Sequence, residues 1–248
     1  MRFVYVSVCL MGLVVAASAC QREDPKVKDL TARLEKAEKR IDQLEKNPRA
    51  GAPPRRGLDP NTVYTIPVHE DDVIRGNKDA KVTIVEGFDY ACPYCASSRP
   101  AVQALLAQRN DIRVVSKQYV VHPQVATIPA LAVCAAGRQG KAHELEDAIW
   151  KKAWVEVTPG RPKMDATALG QDVIEKMAGE LGLDTAKLKA DIAGDTCKQW
   201  LAKQQTELSA VGVSGTPAFF INGRPYQGAR SVEAFSAAVD EELKRKSG

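Results

Sequence analysis

Val82-Thr83-Ile84-Val85 followed by Cys92-Pro93-Tyr94-Cys95 decides how the rest of this chain is read. The first four residues are β-branched and read as a buried strand, and the segment after Cys95 has the pattern of a helix that runs toward Arg109, with Pro100 expected to kink it. Two cysteines three apart at a strand-to-helix turn read as a redox pair. The first would sit at the helix N-terminus, where the dipole and unpaired backbone N–H groups stabilise a thiolate. Cys92 is therefore the expected nucleophile. Cys95, one turn further in, is the resolving thiol that attacks the Cys92 sulfur of a mixed disulfide. The competing readings are a structural disulfide, as in a non-catalytic membrane-anchored scaffold or adhesin, or half of a zinc site. Zinc needs a second close pair of Cys or His, but Cys134, Cys197, His69, His122 and His143 are scattered. No metal is expected, and no His follows Cys95 as haem attachment requires.

Around this turn, Glu86 extends the buried strand and reads either as a carboxyl whose pKa is raised by desolvation, able to exchange protons with Cys95, or as a polar strand end. Asp89 is expected to be a solvated turn residue. Tyr94 reads as a surface residue that shapes substrate contact. His122-Pro123 follows the strand Ile112 to Val121, where a lone His is expected to be a hydrogen-bonded structural residue rather than a catalytic one.

Upstream, Arg2, an apolar run and Ala17-Ser18-Ala19 read as an export signal over residues 1–19. Ala17-Ser18-Ala19-Cys20 resembles a bacterial lipobox, in which Cys20 is lipidated; plain signal-peptidase cleavage is the alternative. Both put the mature chain outside the cytoplasm, where disulfides persist. From residue 20 to 47 one helix is expected, started by Asp24 and Pro25 and stopped by Asn47-Pro48. Val27, Leu30, Leu34, Ala37, Ile41 and Leu44 form an a/d seam, and Arg33 and Arg40 would face Glu38 and Glu45 of a parallel partner. A parallel homodimer through residues 27–44 and a plain spacer helix both remain open. Residues 48–61, rich in Pro, Gly and Arg, read as a linker.

The domain is expected to begin with a short strand at Val63-Tyr64-Thr65-Ile66. Helices are expected over Val125 to Gly140, Lys141 to Trp154, Asp165 to Leu181 and Thr185 to Val211, with a break at Thr158 to Pro162 and an interruption at Gly194. They form an insertion over about 124–211 within the domain 62–248. It holds Cys134 and Cys197, whose pairing is the economical one for two remaining thiols in an oxidising compartment, as a staple rather than a second redox centre. Thr216-Pro217 opens the apolar strand Ala218 to Ile221, either as an ordinary strand start or as a cis-proline that places Thr216 beside the cysteines and leaves backbone groups free for an extended substrate. Asn222-Gly223 marks a hairpin, and Ser231 caps a last helix. The 35 Lys and Arg only slightly outnumber the 31 Asp and Glu, so charge gives no argument for nucleic acid.

From about Val63 to Lys246 the chain resembles the DsbA-like branch of the thioredoxin superfamily, on Cys92-Pro93-Tyr94-Cys95 with Glu86, the insertion after His122-Pro123, and Val213-Ser214-Gly215-Thr216-Pro217. The resemblance implies an α/β thioredoxin fold, a βαβ half and a ββα half around a helical insertion. It also implies a cis Pro217, Cys92 as nucleophile, Glu86 at the family's buried-acid position, and no cofactor. Pro93, Tyr94, Thr216 and Pro217 would contact substrate. Tyr94 between the cysteines and Thr216 before the proline look more like isomerases and multifunctional members than the monomeric oxidases. The expected partners are exported proteins bearing thiols or disulfides and a membrane redox partner. The expected place is the periplasm, on the outer membrane through lipid at Cys20.

Overall fold

The computed structural model describes residues 25–46, 57–158 and 161–247, in two compact units, 1–55 and 56–248. The export signal, Cys20, the Asp24 cap, the stop at Asn47-Pro48 and linker residues 48–56 lie outside the described residues. In the first unit, α1 spans Pro25–Lys46, and Val27, Leu30 and Leu34 are exposed on it. Among the described residues no helix is long and apolar enough to cross a membrane.

The second unit is built on a five-stranded sheet of order β1-β3-β2-β6-β7: β1 Val73–Gly76, β2 Val82–Phe88, β3 Ile112–Gln118, β6 Ala218–Ile221 and β7 Arg224–Tyr226. Strands β2 and β3 are parallel and are joined by α2 (Pro93–Gln108); β6 and β7 are antiparallel and lead into α8 (Val232–Ser247). Period-two alternation divides the sheet. Ile84, Val114, Phe219 and Ile221 pack under α2 and α8 with Val102, Leu105, Phe235 and Val239. Val85, Val115 and Phe220 face the other way, with Leu208. Truncating a fully buried member such as Ile84 to Ala would cost about 2–5 kcal/mol. Gly87 sits on the second face because a Cβ there would come 2.9 Å from the Leu208 side chain.

The insertion comprises α3 (Pro123–Gly137), α4 (Ala142–Ala153), the hairpin β4 (Trp154–Thr158) and β5 (Arg161–Met164), a short 3-10 turn, α5 (Gln171–Glu180), α6 (Thr185–Ala193) and α7 (Asp195–Ala210). Helix α3 is buried along Ala126, Ala130, Ala132, Ala135 and Ala136, small residues that let neighbouring helices close around it. A Cys134–Cys197 disulfide joins α3 to α7 across 63 residues, a loop whose closure is worth about 4 kcal/mol in the chain-entropy account. Gly194 ends α6 and begins α7, and Ser231 accepts from Ala234 N–H at the start of α8.

Three expectations are corrected here. Val63-Tyr64-Thr65-Ile66 is not a strand: it makes a single backbone bond to the β6–β7 turn, Tyr64 N–H to the Gly223 carbonyl at 2.8 Å, and the first sheet strand begins at Val73. The break at Thr158 to Pro162 separates two paired strands instead, because Val155, Val157 and Thr158 favour β structure once α4 ends. Residues 58–61, expected in the linker, are fastened to the folded unit: Gln227 donates to the Leu58 carbonyl and Arg224 to that of Asn61.

Candidate redox site

The chain leaves β2 through a turn organised by one carboxylate. Asp89 is fully buried and accepts N–H groups from Ala91 at 2.6 Å, Val121 at 2.6 Å and His122 at 2.8 Å, while its carbonyl accepts from Cys92 N–H at 3.1 Å. This corrects the reading of Asp89 as a solvated residue; its acceptor oxygens tie the segment between β3 and α3 to the cysteine turn. The His122 Nδ1 stands 3.3 Å from the same carboxylate, and His122 is the N-terminal flanking residue of α3.

Cys92 keeps an extended backbone and flanks α2, with its carbonyl accepting from Cys95 and Ala96 N–H groups at 3.1 Å and Pro93 opening the helix. Pro is suited to that position because its missing N–H would have no intrahelical partner. Tyr94 projects outward, 65% exposed. Cys92 and Cys95 are free thiols, 3% and 1% exposed, and what separates them is the balance of hydrogen bonding against burial at each sulfur. The hydrogen bond with Cys95 leads the causes that bring the Cys92 thiol down to about 6, assisted by Thr216 and the backbone N–H groups of Cys95 and Tyr94 and opposed by burial. Burial pushes the Cys95 thiol far above the ordinary thiol range, with Cys92 and Glu86 adding to the rise.

The loop before β6 supplies the other wall. The Thr216–Pro217 peptide is cis, and the Cys92 Sγ lies 3.4 Å from the Thr216 carbonyl oxygen. The Thr216 hydroxyl is buried with no hydrogen-bond partner, which leaves it available to a thiolate. Beneath the pair, Glu86 is 9% exposed, and burial raises its carboxyl to about 7, with Arg99 opposing and Glu146 adding to the rise. Phe88, Tyr90 and Trp150 form an aromatic wall with ring centroids 5.2–5.6 Å apart.

The structure thus brings Cys92, Cys95, Thr216 and Pro217 together, with Glu86 on the strand leading into the turn. Cys134 and Cys197 sit in the insertion core. Asp89 was misread as solvated, and Arg99 and Glu146 were missed in the sequence. Arg99 had one signal: it lies four residues after Cys95, on the same face of α2. Among the described residues no group of three or more His, Cys, Asp or Glu side chains could hold a metal ion.

The family described as Thioredoxin matches residues 69–241. The Na(+)/H(+) antiporter NhaA 1 of Salinispora arenicola is 36% identical over 178 residues, which cover 70% of this chain and 25% of the antiporter. This chain therefore spans about a quarter of the length of the first curated relatives it matches. A provisionally named protein-disulfide oxidoreductase of Rickettsia bellii is 26% identical over 73% of this chain and 70% of its own length. Among solved structures, a thioredoxin-like oxidoreductase from Silicibacter pomeroyi superposes with a TM-score of 0.60 at 26% identity, covering 71% of this chain and 94% of that one.

Proposed function

The chain belongs to the thioredoxin family, on its DsbA-like side, and we propose that it is an extracytoplasmic protein thiol–disulfide oxidoreductase working through Cys92 and Cys95. The observation that carries this reading is the geometry of the pair: Cys92 flanks the N-terminus of α2 with its Sγ 3.4 Å from the carbonyl oxygen before the cis Pro217, and Cys95 is buried one turn further in. A thiolate favoured at Cys92 is both a nucleophile and a good leaving group, whereas Cys95 must be protonated when it leaves.

In the oxidising direction, a substrate thiolate attacks Cys92 Sγ of the disulfide form. The Cys92–Cys95 bond breaks, its electron pair goes to Cys95, and Glu86 gives that sulfur a proton. A second substrate thiolate then attacks the substrate sulfur of the mixed disulfide, and Cys92 departs as a thiolate. A membrane redox partner takes the two electrons from the reduced pair. In the isomerising direction reduced Cys92 attacks a wrong substrate disulfide, and Cys95 releases stalled intermediates. Thr216 and Pro217 align an extended segment of an exported protein, and Pro93 and the exposed Tyr94 face it. The Cys134–Cys197 bond staples the insertion.

Replacing Cys92 by Ser tests the enzyme reading against a reduced unfolded protein substrate; turnover retained in that variant would sink it. A Cys92–Cys95 bond resisting a mild dithiol would instead favour an inert scaffold.

For the N-terminal unit we propose attachment to the outer membrane through lipid at Cys20 and a parallel homodimer through residues 27–44. The exposed Val27, Leu30 and Leu34 on one seam of α1 support the second. Analytical ultracentrifugation with and without residues 21–47 should give a dimer and a monomer; the same subunit count in both contradicts the pairing.

A further inference from the structure

Glu86 does not face Cys95 alone. Cys95 and Arg99 are four residues apart on α2, so both side chains point to the sheet face that carries Glu86. The Arg99 guanidinium lies 5.2 Å over the Trp150 ring and is shared with α4: Nη1 is 3.3 Å from Glu146 Oε1, and Nη2 contacts Asp147. Glu146 is buried, and its Oε2 makes no hydrogen bond, standing 3.6 Å from Arg75 Nη2 of β1. Arg75 in turn binds Asp147 at 3.0 Å and 3.2 Å. The groups that act on Glu86 from the packed elements are therefore Cys95 and Arg99 of α2 and Glu146 of α4, while Arg75 of β1 and Asp147 of α4 stand behind them, paired with Glu146 and Arg99.

Three carboxyls and two guanidiniums leave one acid short of a cation. The cations are committed to α4: both reach Glu146 and Asp147 by ion pairs, and neither makes one with Glu86. A buried carboxyl without a cation of its own holds its proton. Asp147 and Arg99 also line a groove of about 480 Å³ with Trp150, Trp154 and Pro162, which brings solvent to the outer end of the network.

We infer that Arg99 and Glu146 are positioning residues that set the protonation of Glu86 in opposite directions, Glu146 favouring the proton and Arg99 opposing it, so that a helix of the insertion sets the pH at which Cys95 can leave. The inference rests on the proton-donor reading of Glu86. Neither residue touches substrate. Glu146 acts by occupying Arg99 and by adding a like charge, and Arg99 acts by the share of its charge that reaches Glu86.

The two therefore have opposite signs, which a merely structural role does not produce. In the full-length reduced protein with carbon-13-labelled glutamate, the Glu86 carboxyl, assigned by its loss in Glu86→Gln, should titrate near 7. Glu146→Gln should lower that midpoint by about one unit, Arg99→Gln should raise it by about one unit, and Arg99→Lys, which keeps the charge, should stay near wild type. The break in the pH profile for reduction of the disulfide form by a small dithiol should move with it. A Glu86 midpoint unmoved by Glu146→Gln, or moved in the same direction by Glu146→Gln and Arg99→Gln, overturns the inference. A wild-type pH profile unchanged by Glu86→Gln overturns the proton-donor role beneath it.

Discussion

The two faces of the central sheet each bury a charge cluster, and they solve the same electrostatic problem in opposite ways. On the face under α7, Lys117 is enclosed between Asp72 at 3.0 Å and Glu207 at 2.9 Å. Gln204 donates to Asp72 at 2.9 Å, His69 N–H donates to it at 2.8 Å, and the His69 ring is 2.6 Å from Glu207. Burial pulls the Glu207 carboxyl upward, but the bonds from Lys117 and His69 outweigh it and leave the group below its ordinary value. On the face under α2, burial dominates at Glu86, Arg99 is shared with Glu146, and the carboxyl rises to about 7. A charge that finds its own partners is part of the scaffold, whereas one left short of a partner is free to exchange a proton near neutral pH.

The largest expected effect is on the matched face. Lys117→Met leaves Asp72 and Glu207 without their buried cation and should cost about 3–5 kcal/mol in a denaturant titration, with little change in the ionisation of Cys92. A Cys92 midpoint that follows Lys117 would erase the separation between the faces.

Next comes Glu86→Gln. Because the folded-state pKa of Glu86 is raised, its stabilising contribution is complete below the unfolded value near 4.5 and is lost as pH rises through about 7. Relative to Glu86→Gln, the wild-type protein should therefore lose about 3 kcal/mol across that interval. Parallel stability curves for the two would mean that Glu86 is as well matched as Glu207. The smallest effect is expected for Thr216→Val, which removes a hydroxyl beside Cys92. It should raise the thiolate midpoint by about half a unit, read by ultraviolet absorbance, and an unchanged midpoint would remove that hydroxyl from the set holding the thiolate.

The strand-to-helix turn with its two cysteines, the β6–β7 hairpin at Asn222-Gly223 and the helical insertion were legible because each has a local signature. At Asn222 and Gly223 the backbone takes positive φ values of 49° and 82°, as the turn expected there requires. The charge clusters were not legible, because Arg99, Glu146 and Asp147 carry the ordinary pattern of solvated helix faces, and only the ion pairs between α2 and α4 enclose Arg99 and Glu146 while Asp147 keeps contact with solvent. Lys117 offered a partial signal, as a cation inside the apolar run from Val114 to Val121, but nothing local identifies Asp72 and Glu207 as its partners. Asp89 follows a strand and precedes a turn, where a carboxylate is commonly hydrated. Its burial is compensated by three N–H groups, two of them from the β3–α3 connection more than thirty residues away. The β4–β5 hairpin was hidden because Arg161-Pro162-Lys163-Met164 has no β-forming pattern, and the Pro159-Gly160 before it marks a break as readily as a turn.

Two adjacent thiols of unequal ionisation are the centre of the site, and a pH titration of thiolate absorbance in the reduced full-length protein tests that inequality most directly. One thiolate should appear with a midpoint near 6 and be lost in Cys92→Ser, while Cys95 contributes nothing through pH 9. Two thiols titrating together near the ordinary value of about 8.5 would contradict it.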